Sequence, residues 1–251
     1  MPKAIAIIPA RYDSKRFPGK ALALIAGVPL VVSVLQMAKK SHLLSDVFVA
    51  TDDHRISDAV KEYGGNVYFS ATRHQTGSDR IAEAVSEIDC DYVLNIQGDE
   101  PFLSPDIIDA IIGTLDIPDV VMASACSPIY DQSEADNPNV VKVVMDKNRN
   151  ALYFSRSRIP YRRPDESESA GIYRHIGIYG FKREFLLKFA EWDRTPLEES
   201  ESLEQLRALE NGYKIRLIIA KSDFVGIDSP DDIIRAEAIL DKRGLHDGRQ
   251  R

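Results

Sequence analysis

Short β-branched runs alternate with stretches of helical spacing along most of this chain, which restricts it to βαβ units around a mostly parallel sheet. The first run is Ala4 to Ile8. Pro29 then opens a helix that carries Leu30, Val31, Val32, Leu35, Met37 and Ala38 and ends at Lys39-Lys40, with proline first and cations last as helix geometry and dipole favour. "DVFVATD" predicts a strand, Asp53 to Tyr63 a helix stopped by Gly64-Gly65, "NVYF" a short strand, and Ser78 to Ile88 a helix with Ser78 as its cap. "DYVLNIQ" is a near-continuous apolar run, as in a strand covered on both faces. It ends in "GDEP", Pro105 starts a further helix, and Val120 to Cys126 is another strand.

After residue 126 the rhythm changes. "VVKVVMDKNRNALYFSRS" predicts a hairpin turning at residues 147–150, and "RHIGIYGF" a strand. "LEESESLEQLRALENG" predicts one helix ending at Gly212, "YKIRLIIA" a strand, and "SPDDIIRAEAILDKRG" a last helix with Ser229 as cap and Pro230 at its first position. The expected fold is a single α/β domain over residues 1–251, an open, mostly parallel sheet with helices on both faces. A smaller, mixed and partly antiparallel lobe is expected as an insertion at about residues 127–195.

In such a sheet ligands gather outside the carboxyl ends of the strands. The loop "PARYDSKRFPGK" follows the first strand directly and holds Arg11, Lys15, Arg16 and Lys20 against one acid, Asp13, in a chain of net charge −7. Arginine forks and a lysine point charge suit phosphate. The loop is not a Walker A motif, since Ser14 and Ala21 stand where Gly and Ser or Thr belong, and no G-x-G-x-x-G occurs. The acidic balance argues against a nucleic-acid partner. The greasiest stretch, Ala21 to Leu35, is broken by Gly27, Pro29 and Ser33, so no membrane span is expected. The run before Pro9 and Arg11 is too brief for a signal peptide, and Cys90 and Cys126 form no C-x-x-C pair, so a reduced, cytoplasmic, soluble protein is expected.

The motifs "IPARYDSKRFPGK", "VATDD", "HQTGSDR", "NIQGDEP", "NPNVVKVV", "ALYFSRSRIPY", "RHIGIYGF", "SLEQLR" and "GIDSPDD" occur in this order from residue 5 to about 240. The chain thereby resembles the 3-deoxy-manno-octulosonate cytidylyltransferase family. The first and fourth motifs alone mark the wider sugar nucleotidyltransferase group; "ALYFSR…IP", "RHIGIYGF" and "LEQLR" narrow it. The resemblance implies a GT-A-like nucleotidyltransferase fold and a lobe serving dimerisation and the sugar. It also implies transfer of CMP from CTP to the acid sugar Kdo, with Mg²⁺ as cofactor and the product entering lipopolysaccharide biosynthesis.

The same resemblance assigns residues. Arg11, Ser14, Arg16 and Lys20 would receive the triphosphate, and Gln75, Thr76, Gly77, Ser78 and Arg80 the cytosine and ribose. Asp99 and Asp228 would carry the metal, which takes hard oxygen donors. On spacing alone each aspartate serves equally as a cap for a following helix. Gln97, Arg156, His175, Tyr179, Glu204 and Gln205 would orient the sugar. A strand period of two sets His175, Gly177, Tyr179 and Phe181 on one face, opposite Ile176 and Ile178. Asp53 reads as a helix cap, and Asp89-Cys90-Asp91, the only D-x-D, precedes a strand and reads as loop. Arg158 departs from the small residue common in relatives, and residues 162–171 match no motif. Other acid sugars, 8-amino-Kdo or a sialic acid, are the alternatives within the class. A glycosyltransferase would carry a D-x-D after a strand, and a non-catalytic binder would hold CTP without releasing pyrophosphate.

Overall fold

The computed structural model describes residues 2–13, 17–70, 77–161, 171–220, 226–227 and 229–243. The chain divides into two compact units, one of residues 1–109 with 224–251 and one of residues 110–223.

In the first unit, β1 (Ala4–Pro9) is wholly apolar and Ala4 to Ile8 have no exposure. Each isoleucine buried this way contributes about 1.5–3 kcal/mol. The cationic loop leads through a 3₁₀ turn (Lys20–Leu22) into a small hairpin of β2 (Leu24–Ile25) and β3 (Val28–Pro29), which the sequence pattern did not announce. Gly19 precedes the turn at φ 73°, a left-handed conformation that suits glycine. Helix α1 (Leu30–Ala38) starts after Pro29 as expected and is buried at seven of nine positions, an inner helix rather than a surface one.

β4 (Leu44–Thr51), α2 (His54–Glu62), β5 (Asn66–Phe69), α3 (Gly77–Glu87) and β6 (Tyr92–Ile96) complete the run. β1 pairs in parallel with β4 and β6, and β4 with β5, giving the order β6-β1-β4-β5. Asp53 caps α2, its carboxylate accepting from the Arg55 N–H at 2.9 Å. Helix α3 begins at Gly77, so Ser78 lies in its first turn and is not its cap. Asp91 pairs with the Lys3 backbone at the amino end of β6, so the D-x-D is a loop at the end of the sheet away from the ligand side.

Helix α4 (Pro105–Leu115) crosses residue 109. In the second unit β7 (Met122–Pro128), α5 (Gln132–Asp136), β8 (Lys142–Met145), β9 (Ala151–Ser155) and β10 (Tyr173–Lys182) follow. Then come α6 (Arg183–Ala190), α7 (Pro196–Glu201), α8 (Leu206–Glu210) and β11 (Arg216–Ile219). β10 runs antiparallel to β7 and β8, β8 antiparallel to β9, and β11 parallel to β7, so this sheet is mixed. The expected hairpin is β8–β9, with Arg149 at φ 61° in its turn. Gly180 lies where a Cβ would collide with Ile111 and come within 3.2 Å of Leu115, so β10 needs glycine to lie against α4.

The single helix expected over residues 197–212 is instead two. α7 ends at Ser202, whose φ of 51° and ψ of 49° are left-handed, and α8 restarts at Leu206. A buried ion pair holds the break: Arg207 donates through Nε and Nη2 to the two Glu198 oxygens at 2.7 and 2.6 Å, both side chains under 5% exposed. α9 (Pro230–Arg243) returns to the first unit. Its cap is Ser229, whose N–H and hydroxyl both donate to Asp232 Oδ2 at 2.8 Å. No helix among the described residues is long and apolar enough to cross a membrane.

Candidate active site

The carboxyl ends of β1, β4 and β6 carry Arg11, Asp52 and the segment Gln97 to Asp99. Gly98 approaches so closely that a Cβ there would lie 3.4 Å from the Pro9 carbonyl, and one at Gly77 would touch the Pro9 ring at 3.5 Å. The ends of two strands and the start of α3 therefore converge. Lys20 Nζ donates to Asp99 Oδ2 at 2.6 Å and to the Ile227 carbonyl at 2.9 Å, while the Ile227 N–H donates to the Asp99 carbonyl at 2.9 Å. Three segments far apart in sequence are thus joined by one ammonium and one backbone bond. The Lys20 and Asp99 side chains are 17% and 27% exposed, which leaves both reachable by a ligand. Ser14, Arg16, Gln75, Thr76 and Asp228 lie outside the described residues.

Arg11 is exposed, and Gln97 half-buried. Arg80 is fully buried and pairs with Asp52 through Nη1 at 3.0 Å and Nη2 at 2.9 Å. The hydrogen bond from Arg80 holds the Asp52 carboxyl below the usual carboxylate range against a desolvation penalty, with Arg11 adding to the effect. The Arg80 Nε is buried without a hydrogen-bond partner among the described residues.

The remaining candidates stand in the second unit. The His175 and Tyr179 rings lie 5.2 Å apart, Tyr179 lies 6.2 Å from Phe181, and the Phe154 edge meets His175 at 5.1 Å. His175 Nε2 is 2.9 Å from the Ser124 hydroxyl. Burial, with Arg174 nearby, pushes the His175 pKa down to about 3. Burial and the charge of Glu204 raise that of Tyr179, so its hydroxyl remains a donor. Gln205 is 3% exposed, and its Nε2 has no partner among the described residues. Arg156 donates from Nε to the Glu201 carbonyl at 2.7 Å and from Nη1 to the Pro138 carbonyl at 3.1 Å. Its own N–H meets the Glu201 carboxylate at 2.9 Å, and its carbonyl accepts from the buried Lys142 ammonium. Its guanidinium therefore ties Pro138 to the 201–202 segment. Arg158 pairs with Asp136 at 3.1 Å and Gln132 at 2.6 Å, toward α5.

Two polar residues escaped the sequence reading, Asn95 and Ser124, both almost fully buried. Each stands singly in a run read as apolar strand, and that isolation was the one available signal. Asn95 Oδ1 has no partner among the described residues.

Magnesium takes oxygen donors and is usually held by one or two carboxylates together with substrate phosphates. The part-exposed Asp99 carboxylate meets that need in kind. No group of three or more His, Cys, Asp or Glu stands together among the described residues.

Residues 5–215 match the model of a family described as cytidylyltransferase. The 3-deoxy-manno-octulosonate cytidylyltransferase of Pelobacter propionicus is 46% identical over 241 residues, covering 92% of this chain and 94% of its own length. The 8-amino-3,8-dideoxy-manno-octulosonate cytidylyltransferase of Shewanella pealeana is 45% identical over 239 residues, covering 93% and 97%. Among solved structures, a CMP:2-keto-3-deoxy-manno-octonic acid synthetase complexed with CTP superposes with a TM-score of 0.89 at 36% identity, covering 96% of this chain and 99% of that one.

Proposed function

The chain belongs to the 3-deoxy-manno-octulosonate cytidylyltransferase family, and from that premise we propose that it joins CTP and Kdo into CMP-Kdo and pyrophosphate. The anomeric hydroxyl oxygen of the sugar forms a bond to the α-phosphorus, the bond from that phosphorus to the bridging oxygen breaks, pyrophosphate leaves, and the hydroxyl proton is released. Chemistry of this kind rests on positioning and on charge stabilisation, so no protein nucleophile is required.

Lys20, with Arg11 and Arg16, holds the triphosphate and offsets the charge that builds on the leaving pyrophosphate. Ser14, Gln75, Thr76, Gly77, Ser78 and Arg80 serve the nucleotide. Asp99 and Asp228 would hold Mg²⁺, which when bound supplies Lewis-acid stabilisation of phosphate oxygens. Gln97, Arg156, His175, Tyr179, Glu204 and Gln205 would orient the sugar acid. The observation that carries this reading is the junction of Lys20 with both Asp99 and the Ile227 carbonyl. It supports a phosphate-and-metal centre at the carboxyl end of the sheet. A cytoplasmic location and a homodimer formed through residues 127–195 belong to the same proposal.

The test is pyrophosphate release from CTP and Mg²⁺ with a panel of acid sugars. Kdo is expected to be turned over fastest. Faster turnover of 8-amino-Kdo or a sialic acid reassigns the sugar, and binding of CTP without pyrophosphate release from any of them removes the proposed activity.

A further inference from the structure

Ser124 lies on β7 with no exposure and sits opposite Tyr179 of β10. Between Ile176 and Tyr179 the register breaks: β10 advances from Ile176 to Tyr179 while β7 moves only from Ala125 to Ser124. Such a bulge re-aims side chains and backbone at the expense of ladder bonds. Here it brings the Ile178 carbonyl within 2.8 Å of the Ser124 hydroxyl.

A serine hydroxyl has one hydrogen and a carbonyl oxygen has none, so that hydrogen belongs to the bond with Ile178. Toward His175 Nε2, 2.9 Å away, the Ser124 oxygen can only accept. The ring hydrogen must therefore sit on Nε2. A neutral imidazole protonated there keeps its lone pair on Nδ1, which makes no hydrogen bond among the described residues. Burial keeps the ring from taking a second proton near neutrality. Phe154, edge-on at 82°, and Tyr179 hold the ring plane.

We propose that Ser124 is a positioning residue for substrate choice: by accepting the Nε2 hydrogen of His175 it makes Nδ1 a hydrogen-bond acceptor, so that this wall of the sugar site takes a hydroxyl and not a carboxylate. The inference rests on the reading of His175 as a sugar-binding residue. It deepens that reading by naming the sugar group that His175 receives and the buried residue that decides it.

Long-range proton–nitrogen NMR of the ¹⁵N-labelled full chain without substrate tests it, with the His175 signals assigned by their loss in His175→Gln. The expected spectrum has a protonated Nε2 and a bare Nδ1 at pH 7; a protonated Nδ1 or an imidazolium overturns the proposal. Ser124→Ala is expected to mix the tautomers and raise KM for the acid sugar about tenfold, the loss of one hydrogen bond, with kcat and KM for CTP within about twofold. Ser124→Thr, which restores the hydroxyl, is expected to return both readouts toward wild type. A KM change without a tautomer change is a packing effect and overturns the idea. Should Ser124→Ala not fold, the wild-type spectrum still decides. The spectra need no sugar, so failure of the proposed reaction shows separately, as absent pyrophosphate release by the wild type.

Discussion

Lys20 is the residue on which the most converges, because a single ammonium touches both the carboxylate of Asp99 and the backbone of Ile227. Removing a charge aimed at a developing anion typically costs about 10²–10³ in rate. Lys20→Met is therefore expected to lower kcat/KM for CTP by about that factor while KM for the sugar stays within a few-fold, read by pyrophosphate release at varied concentrations of each substrate. Asp99→Asn keeps the shape and removes the anion, and turnover with Mg²⁺ is expected to fall by at least about 10³; near-normal turnover removes Asp99 from the mechanism. Both residues were legible as residue types in a loop after a strand. What a linear chain does not display is that Arg80, read as a nucleotide contact, is fully buried against Asp52. The two stand 28 positions apart, and only the parallel strand order brings them together.

At the scale of elements, most strands and helices of residues 4–126 stand where apolar spacing put them, because strands buried on both faces leave an unbroken signal. The 197–212 segment is the instructive failure. Leu203, Leu206 and Leu209 keep a helical period but all lie after Ser202, where the chain breaks because the Glu198–Arg207 pair and the left-handed Ser202 re-aim the second half. A helical stripe that begins after the break cannot register it. Removing one partner of a buried ion pair strands the other, so Arg207→Ala is expected to cost about 3–5 kcal/mol and lower Tm by about 10 °C in scanning calorimetry. At Gly180 the added methyl of Gly180→Ala has to displace Ile111 or Leu115, with an expected loss of about 1–3 kcal/mol in urea unfolding.

For the whole molecule, the depressed His175 pKa sets a pH dependence whose sign follows from linkage. Unfolded histidine titrates near about 6.5, whereas His175 in the fold does so at about 3. Its contribution is complete above the unfolded value, and falls away as pH drops from there toward the folded one, because the unfolded chain takes up a proton that the native state refuses. Between about pH 5 and 6.5, above the range of unfolded carboxylates, wild-type stability is expected to decline with falling pH, and His175→Gln to show a slope shallower by up to one proton in urea midpoints. An unchanged slope would place the ring in water. Local pattern alone was enough for the α/β class, the cationic loop after β1 and the acidic loop after β6, because helix and strand propensities and turn residues act over a few neighbours. The ammonium bridge from Lys20 to Asp99 and Ile227, the break at Ser202, the Arg80–Asp52 pair and the contact of Ser124 with His175 came only with tertiary structure. Those contacts join residues between 9 and 207 positions apart, and their existence depends on strand order, register, a helix break and a bulge, none of which leaves a mark on local composition.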